Sequence, residues 1–473
     1  MRRFLVLATV GVLVLPGCAA ASGPALVTAP IEATPGAPGI GDPYFPLDGN
    51  GGYDVDRYDL DVSYAPETDV LAGVATVSAR ATQGLSAFNL DLSGLEVRSV
   101  TVDGADAAFT RDGGELTVTP AAPLAEGAAF TAVVTYDGVP QLVEDSFGAA
   151  GFFATGDGAL VVGQPDVAAT WFPANDHPLD PAAFTFRITA PEGLEAVANG
   201  VLESTTTSGG STTTTWVADR PMAPYLAGMA IGEFDVLAYE QDGIRYWDAF
   251  APDLGGVDAV ARAALARQPE VLAYLARVFG PYPFDVAGGI VDAEPRLAFA
   301  LENQTRPIYA QSFFDDAVSG ESVVVHELAH QWFGDDLPLA RWSDIWLNEG
   351  FATYAEWLWS EHDGRETVAQ QFAAVTAIPA DDPFWTVPIG DPGPDRIFDE
   401  AVYVRGAMTL HALRTAVGDE AFFRILPEWA ARRSGQNVTT ADFAALAEEV
   451  SGQELDDLFT TWLVTPEKPS GLA

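Results

Sequence analysis

The sequence predicts a multidomain α+β protein, with an N-terminal all-β, sandwich-like domain followed by a mainly helical domain. From about residue 52 to 239, apolar residues alternate with polar ones, which is the period of half-buried strands. Turn pairs such as Asp103-Gly104 separate these runs. After about residue 240 the apolar spacing becomes that of amphipathic helices.

Residues 1–17 are predicted to be a signal peptide. Their apolar stretch, residues 4–15, is shorter than the about 20 residues that cross a membrane. Cys18, the one cysteine, closes a segment that looks like a lipoprotein cleavage box, so we expect cleavage before Cys18 and lipidation of its thiol. This predicts an exported, membrane-anchored lipoprotein at the surface of a bacterial cell. Because Pro16 is unusual in such a box, a secreted protein with a bystander cysteine is the alternative.

Residues 18–42 are rich in Ala, Pro, Gly and Thr and are predicted to be a tether. The two folded domains are then expected at residues 43–239 and 240–473. A net charge of −44 repels nucleic-acid phosphate, so we expect no nucleic-acid partner. It attracts peptides with a free amine weakly, although solubility is the simpler reason for such acidity. No obligate protein partner is evident.

The chemistry is expected at a His-Glu-x-x-His motif in a segment with the pattern of a helix. Ser319 suits its N-cap, and Gly334 suits the residue just past its end. His326 and His330 share a face of this helix, so both imidazoles can bind one metal ion. Glu327 borders that face, where it can act as a general base on a water without being a ligand.

A second acidic motif, Trp-Leu-Asn-Glu-Gly, places Glu349 early in another predicted helix, about residues 343–364, with 18 residues between Glu349 and His330. Two adjacent helices would bring Glu349 beside the histidines. Three protein ligands with a fourth position open for water are typical of catalytic Zn²⁺. A lone His-Glu-x-x-His can also be an ordinary amphipathic helix, but the second motif favours one Zn²⁺ per chain.

The pair formed by His326-Glu327-x-x-His330 and Glu349 resembles the gluzincin zinc aminopeptidases, the family of membrane alanyl aminopeptidase and leukotriene hydrolase. The resemblance covers about residues 45–465 and implies a thermolysin-like catalytic domain. Longer members carry a helical C-terminal domain over the active site. This chain leaves no room for one, so the resemblance implies a more open cleft.

Residues 299–303 resemble the exopeptidase motif Gly-x-Met-Glu-Asn of this family. The resemblance implies that Glu302 binds the N-terminal amine of the substrate by a charge-assisted hydrogen bond, which an internal peptide nitrogen cannot make. Gln164 falls where the family has a second amine-binding residue. Downstream of it, Ala169 replaces an arginine of the family motif and Ala174 a cysteine. The alternatives are a surface glutamate and a glutamine that satisfies a loop.

Tyr403 lies in a stretch similar to the family's Tyr-x-Lys-Gly. The resemblance implies that it donates a hydrogen bond to the oxyanion of the tetrahedral intermediate; the alternative is a core tyrosine.

Phe299 and Leu301 replace the Gly and Met of the exopeptidase motif, at the edge where substrate backbone would pair. Residues 379–399, rich in Pro and Asp, are predicted to form a long loop along the cleft.

Together these features predict a zinc aminopeptidase that removes N-terminal residues from peptides. An endopeptidase on the same scaffold is one alternative, and peptides blocked at the N-terminus would distinguish the two. A non-catalytic surface-binding lipoprotein is another. Retention of all three ligands, of Glu327 and of Tyr403 argues against it.

Overall fold

The structure is a computed structural model that describes residues 32–145 and 148–470, together with the isolated positions 1, 5, 7, 9 and 11. In this part of the chain a β-rich half precedes a mainly helical half, as predicted. None of the helices described is long and apolar enough to cross a membrane. Cys18 lies outside the described residues.

The N-terminal half forms three sheets within the described residues. Their strand orders are β15-β16-β13-β2-β3-β9-β5-β6, β1-β4-β8-β7 and β10-β11-β12-β17-β14. The strands are β1 (Thr34–Pro35), β2 (Tyr53–Ala65), β3 (Val70–Ala81), β4 (Leu85–Asp91), β5 (Glu96–Val102), β6 (Ala105–Asp106), β7 (Ala108–Asp112), β8 (Glu115–Thr119), β9 (Ala129–Gly138), β10 (Leu142–Asp145), β11 (Gly148–Ala154), β12 (Ala159–Val162), β13 (Ala182–Pro191), β14 (Glu195–Ala198), β15 (Val201–Ser208), β16 (Ser211–Met222) and β17 (Met229–Gly232).

The second half combines one more sheet, of order β18-β19-β20-β22-β21, with helices. Its strands are β18 (Asp235–Gln241), β19 (Ile244–Phe250), β20 (Val286–Asp292), β21 (Ala300–Leu301) and β22 (Ile308–Ala310). Its helices are α1 (Asp258–Leu265), α2 (Gln268–Phe279), α3 (Ala317–His330), α4 (Trp346–His362), α5 (Val368–Thr376), α6 (Glu400–Val417), α7 (Asp419–Arg433), α8 (Thr440–Ser451) and α9 (Asp456–Phe459), the last followed by a π-helical turn over Thr460–Val464. The predicted domain boundary at residue 239 falls within β18 and stays a prediction.

The predicted alternation of buried and exposed residues is present in the largest sheet. In β2 the side chains of Tyr58, Leu60 and Val62 are buried, and the residues between them are exposed or half-buried. Tyr58 stacks on Phe184 of the neighbouring strand β13, with ring centroids 4.9 Å apart. This buried face of the sheet lies in the core of the β-rich half. Each large aliphatic side chain buried on it stabilises the folded state by about 1.5–3 kcal/mol.

Part of the predicted tether packs on the fold. Thr34 and Pro35 pair in parallel with β4. Asp42 is buried, and its carboxylate accepts a hydrogen bond from the backbone N–H of Trp342 at 2.9 Å and lies 3.1 Å from His177 Nε2. Residues 34–42 therefore belong to the folded domain and not, as predicted, to a tether. The sequence did not predict this packing, because it depends on backbone hydrogen bonds and one buried carboxylate and so produces no periodic pattern of apolar residues.

Helix α3 carries the His-Glu-x-x-His motif, but it begins earlier than predicted. The carboxylate of Asp316 accepts hydrogen bonds from the N–H groups of Val318 (2.8 Å) and Ser319 (3.1 Å). Asp316 is therefore the N-cap, and the prediction of Ser319 was wrong, because a carboxylate also interacts favourably with the helix dipole. The helix ends at His330, so Gly334 is not the residue directly after it.

Helices α4 and α6 approach each other through two glycines. A Cβ on Gly350 would lie 2.8 Å from the Cα of Gly406, and a Cβ on Gly406 would lie 2.7 Å from the Cα of Gly350. No side chain fits between the two backbones. Glu349 lies in the first turn of α4 and Tyr403 in the first turn of α6, so this contact helps to set the distance between the two candidate site residues.

We expect Gly406→Ala to destabilise the protein by about 1–3 kcal/mol, because a methyl group there must force the two helices apart. In an uncrowded helix, replacing glycine by alanine instead stabilises the folded protein by roughly 0.5–1 kcal/mol. The sign of the change in unfolding free energy therefore shows whether the two helices are in close contact at this position. Chemical denaturation followed by circular dichroism measures it. The control is Gly256→Ala, an exposed position where a Cβ meets nothing within 4 Å. Equal stability of the two variants would contradict the packing constraint.

Candidate active site

Two histidines from α3 and one glutamate from α4 converge in the second half of the chain. The Nε2 atoms of His326 and His330 lie 3.2 Å and 3.3 Å from the same oxygen, Oε2 of Glu349. The four-residue spacing places both imidazoles on one helix face, and the first turn of α4 brings the carboxylate to them. The predicted trio is therefore assembled.

The far side of each imidazole is held by an acceptor. His326 Nδ1 donates to Glu356 Oε1 at 2.7 Å, and His330 Nδ1 donates to the backbone oxygen of Phe333 at 3.0 Å. Carboxylates accept only, as do carbonyl oxygens, so Nδ1 carries a proton in both rings. Both Nε2 atoms face the carboxylate of Glu349, and each can bind a metal ion once it has lost its own proton.

The geometry fits a zinc ion. Tetrahedral bonds of about 2.0–2.1 Å require ligand atoms about 3.3–3.4 Å apart, and the two nitrogen–oxygen distances match that requirement. Burial acts to raise the pKa of Glu349, but the two histidines outweigh it and hold the pKa at about 2, so the carboxylate is ionised. Two imidazoles and one carboxylate leave a fourth position open, as catalytic zinc sites do.

Glu327 lies beside this trio without joining it. Its side chain is buried and lines the same cavity of about 420 Å³ as the three candidate ligands. Burial raises the pKa of the Glu327 carboxyl to about 8, and the positive charge of a metal ion in the adjacent site would lower that pKa and favour the ionised form that a general base needs.

Glu302 is a second buried carboxylate in this cavity. It follows β21, the edge strand of its sheet, and is 2% exposed. Its Oε1 accepts hydrogen bonds from Gln164 Nε2 at 2.8 Å and from the Tyr225 hydroxyl at 2.7 Å. The structure thus brings together Glu302 and Gln164, which are 138 positions apart in the chain. Candidate ligand atoms of Glu302, Glu327 and His330 all lie within 4.8 Å of one another.

The β-rich half fixes the segment that carries Glu302. Asn303 Nδ2 donates to the backbone oxygen of Leu226 at 2.9 Å, and Asn199 Nδ2 donates to that of Gln304 at 2.8 Å. Arg306, 1% exposed, donates to the backbone oxygen of Gly200 at 2.9 Å. The position of Glu302 therefore depends on contacts from the other half of the chain.

Tyr403 closes the other side of the cavity. Its ring stacks on that of His326, with centroids 5.9 Å apart, and burial holds the pKa of its hydroxyl well above the ordinary value. The hydroxyl therefore stays protonated at neutral pH and can donate a hydrogen bond.

Phe299, which replaces a glycine of the family motif, lines the cavity, while its backbone oxygen accepts a hydrogen bond from Ala310 N at 3.2 Å. The edge strand stays paired despite the larger side chain.

A second cavity of about 340 Å³ adjoins the first, and Gln164 and Tyr403 line both. Its other wall includes Asp395, Phe398 and Asp399. These residues come from the long segment at 379–399, which borders the cleft as predicted and contains 3-10 turns over Pro383–Thr386 and Pro394–Arg396.

Sequence reasoning missed two side chains that contact the predicted site residues. Glu356 is seven residues after Glu349, two turns along the same helix face, so the spacing rule that pairs His326 with His330 could have found it. Tyr225 left no such signal, because it lies in a 3-10 turn of the other half and reaches Glu302 only through the fold.

Comparison with known proteins identifies both halves. The Peptidase M1 N-terminal domain matches residues 55–226, and the Peptidase family M1 domain matches residues 292–462. "Probable aminopeptidase 2" of Sulfurisphaera tokodaii is 26% identical over 322 residues, which cover 64% of this chain and 40% of that protein. "Leucyl aminopeptidase" of Saccharolobus solfataricus is 23% identical over 443 residues, which cover 88% of this chain and 54% of that protein. The matched region is about half the length of these curated relatives, or less.

A solved structure matches more completely. An M1 zinc metallopeptidase from Deinococcus radiodurans, crystallised as a variant bound to a Tyr-Ser-Ala substrate, is 32% identical with a TM-score of 0.82. The match covers 91% of this chain and 98% of that one. Its agreement along nearly the whole solved chain, together with the two domain matches in the expected order, shows that this chain belongs to peptidase family M1.

Proposed function

We propose that this protein is a zinc-dependent aminopeptidase that hydrolyses the first peptide bond of peptides with a free N-terminus. The observation that carries the proposal is the position of Glu302, a buried carboxylate within 4.8 Å of candidate ligand atoms of Glu327 and His330. An ammonium group bound there has its own carbonyl beside the metal site, because only the α-carbon separates the two groups. The aminopeptidase names of the relatives support the same activity.

His326, His330 and Glu349 would hold the zinc ion, which when bound would act as a Lewis acid toward the scissile carbonyl and the attacking water. Glu327 takes a proton from this water and delivers it to the leaving amine. The Tyr403 hydroxyl donates a hydrogen bond to the oxygen on which negative charge develops.

Glu302 and Gln164 select the substrate's terminus. A protonated amine forms a charge-assisted hydrogen bond with the Glu302 carboxylate, while the Gln164 amide, which already contacts Oε1, keeps that carboxylate in place. An internal peptide nitrogen has no charge and would leave the buried carboxylate unpaired, which costs about 1–3 kcal/mol or more. Longer substrates are therefore excluded from binding across the site.

Replacing the general base should separate turnover from zinc binding. We expect Glu327→Gln to lower kcat at least about 100-fold, because the amide cannot accept the proton, while one zinc per chain is retained, since Glu327 is not a ligand. Hydrolysis of aminoacyl fluorogenic amides and elemental analysis measure the two quantities. Glu366→Gln, at an exposed position outside the cleft, is the control and should be fully active. A Glu327→Gln enzyme with native kcat refutes the assigned role.

Blocking the amine should abolish cleavage. We expect hydrolysis of peptides with a free N-terminus and none of their N-acetylated counterparts. Glu302→Gln should raise KM for the free peptides about 10- to 100-fold, because one charge-assisted hydrogen bond worth about 1.5–3 kcal/mol is lost. Kinetics on matched free and acetylated peptides test both points, with a chelator as control. Efficient cleavage of acetylated peptides would instead support the endopeptidase, and zinc binding without turnover on either set would support the non-catalytic binding protein.

We also propose that the protein is exported and held at the membrane by lipid on Cys18. The support is the order of a basic start, a short apolar stretch over residues 4–15 and the single cysteine. A single acyl chain binds membranes only marginally, so stable anchoring requires more than one chain on this residue.

Cys18→Ala should move the protein from the membrane fraction to the soluble exported fraction, because the thiol that carries the lipid is gone. Cell fractionation with immunodetection measures the distribution, and Ser22→Ala, four residues further along the same segment, is the control. Unchanged partition of Cys18→Ala into the membrane fraction would rule out the lipid anchor.

A further inference from the structure

The wall of the second cavity depends on one loop of the helical half. This cavity of about 340 Å³ adjoins the metal-site cavity, and Asp395, Phe398 and Asp399 form one of its walls. The loop that carries them, residues 391–399, leads directly into α6 and so to Tyr403, which lines both cavities. The shape of the second cavity is therefore set by where this loop lies.

The chain directly before this loop is held by the helical half. Arg405, which is buried in α6, donates to the backbone oxygens of Trp385 at 3.0 Å and Val387 at 3.2 Å. The N–H of Gly390 donates to the backbone oxygen of Leu463 at 2.9 Å. These attachments end at residue 390, where the loop begins.

Residues 391–396 are held by a different part of the chain. In the ranges that the structure describes, hydrogen bonds from these residues to groups outside residues 388–402 all go to one atom, the hydroxyl oxygen of Tyr44. This hydroxyl donates to the carboxylate of Asp391 and accepts from the N–H of Gly393 at 2.9 Å. Its donor and one of its acceptor positions are thus both used by the loop.

The contact with Gly393 lies where the loop turns. Gly393 has a φ of 89°, a backbone conformation that residues other than glycine rarely adopt. It directly precedes the 3-10 turn Pro394–Arg396, which carries Asp395. A bond to Gly393 therefore fixes the start of the turn that contributes to the cavity wall.

Tyr44 is itself fixed to both halves of the chain. Its N–H donates to the carboxylate of Asp42 at 2.8 Å, and the other oxygen of this carboxylate accepts from Trp342 N at 2.9 Å and lies 3.1 Å from His177 Nε2. Phe45 packs edge-on against Trp342, with ring centroids 6.4 Å apart. The Tyr44 hydroxyl therefore reaches the loop from a segment that is held in place.

The position of the second cavity suits the side chain of a peptide's first residue. Gln164 lines both cavities, and its amide lies 2.8 Å from the carboxylate of Glu302, the group proposed to bind the terminal amine. A side chain that branches from the same residue as that amine can enter this cavity. An apolar cavity of about 150 Å³ already accommodates benzene, so the space here is sufficient for an aromatic ring, with Phe299 and Phe398 as apolar walls.

We propose that Tyr44 is a positioning residue for substrate binding, which holds loop 391–399 where it forms the wall around the side chain of the peptide's first residue. The inference rests on the proposed aminopeptidase function, because that function places the terminal amine at Glu302. Tyr44 lines neither cavity, so it acts through the loop. Its effect should therefore appear in substrate binding and not in the chemical step.

Steady-state kinetics on fluorogenic amides of phenylalanine and alanine test this role, since the two substrates differ only in the ring that would fill the cavity. With the full-length, zinc-loaded protein, we expect Tyr44→Phe to raise KM for the phenylalanine amide about 3- to 10-fold, the change that loss of a hydrogen bond produces. KM for the alanine amide, kcat for both substrates and the zinc content should stay within about twofold of the native values.

The matched control is Tyr64→Phe. This change also removes a tyrosine hydroxyl that contacts an aspartate, here Asp69 at 3.0 Å, but in the hairpin of β2 and β3 and outside both cavities. Both KM values should be native. Hydrogen exchange gives a measurement that does not depend on activity: the amides of residues 391–396 should exchange faster in Tyr44→Phe than in Tyr64→Phe, because the loop has lost its attachment.

A double-mutant cycle shows whether the effect passes through the contact with the loop. Asp391→Asn keeps an acceptor oxygen for the Tyr44 hydroxyl and should retain the native KM, whereas Asp391→Ala should raise KM for the phenylalanine amide. In the double variant Tyr44→Phe/Asp391→Ala, KM should be no higher than in Tyr44→Phe alone, because the same contact is lost in both.

The positioning role would be overturned by equal KM changes for the two amides in Tyr44→Phe, by native KM values for both, by unchanged exchange of residues 391–396, or by additive effects in the cycle. Each of these results leaves the aminopeptidase function intact. Failure of the unsubstituted protein to hydrolyse either amide would instead refute the proposed function itself, and the positioning role with it.

Discussion

The site depends on one convergence, in which a single carboxylate oxygen of Glu349 meets two imidazole nitrogens at 3.2 Å and 3.3 Å. Neither helix can achieve this alone, because α3 supplies the nitrogens and α4 the oxygen. The contact between Gly350 and Gly406 allows the backbones of α4 and α6 to approach without an intervening side chain. The same two glycines therefore help to position Glu349 and, from α6, Tyr403. The packing of these helices therefore also determines where the candidate metal ligand Glu349 lies.

A second constraint joins the two halves of the chain. The metal ligands all come from the helical half, whereas the environment of Glu302 is built by both: Gln164 and Tyr225 contact its carboxylate from the β-rich half. Arg306, buried and bonded to Gly200, secures the same segment. The β-rich half therefore helps to form the surroundings of Glu302, the residue proposed to bind the substrate amine.

The sequence predicted those features that depend on residues close together in the chain. The spacing of His326 and His330 is a property of one helix, and alternation in β2 is a property of one strand, so both were readable in the sequence. The partnership of Tyr225 with Glu302 joins residues 77 positions apart and has no period. The N-cap was misplaced because Asp316 and Ser319 are both good caps.

The short distance between the buried carboxylate of Glu302 and the metal site works as a ruler. Candidate ligand atoms of Glu302 and His330 lie within 4.8 Å, and the proposed amine-binding role of Glu302 would leave room for one amino-acid unit between the bound amine and the bond that is cut. Under that proposal, the spacing between β21 and α3 would set the length of each removed piece, and the sequence of the peptide would not. A rearrangement that increased the distance between Glu302 and the metal site would change the number of residues released in each catalytic cycle, while the hydrolysis reaction itself stayed the same.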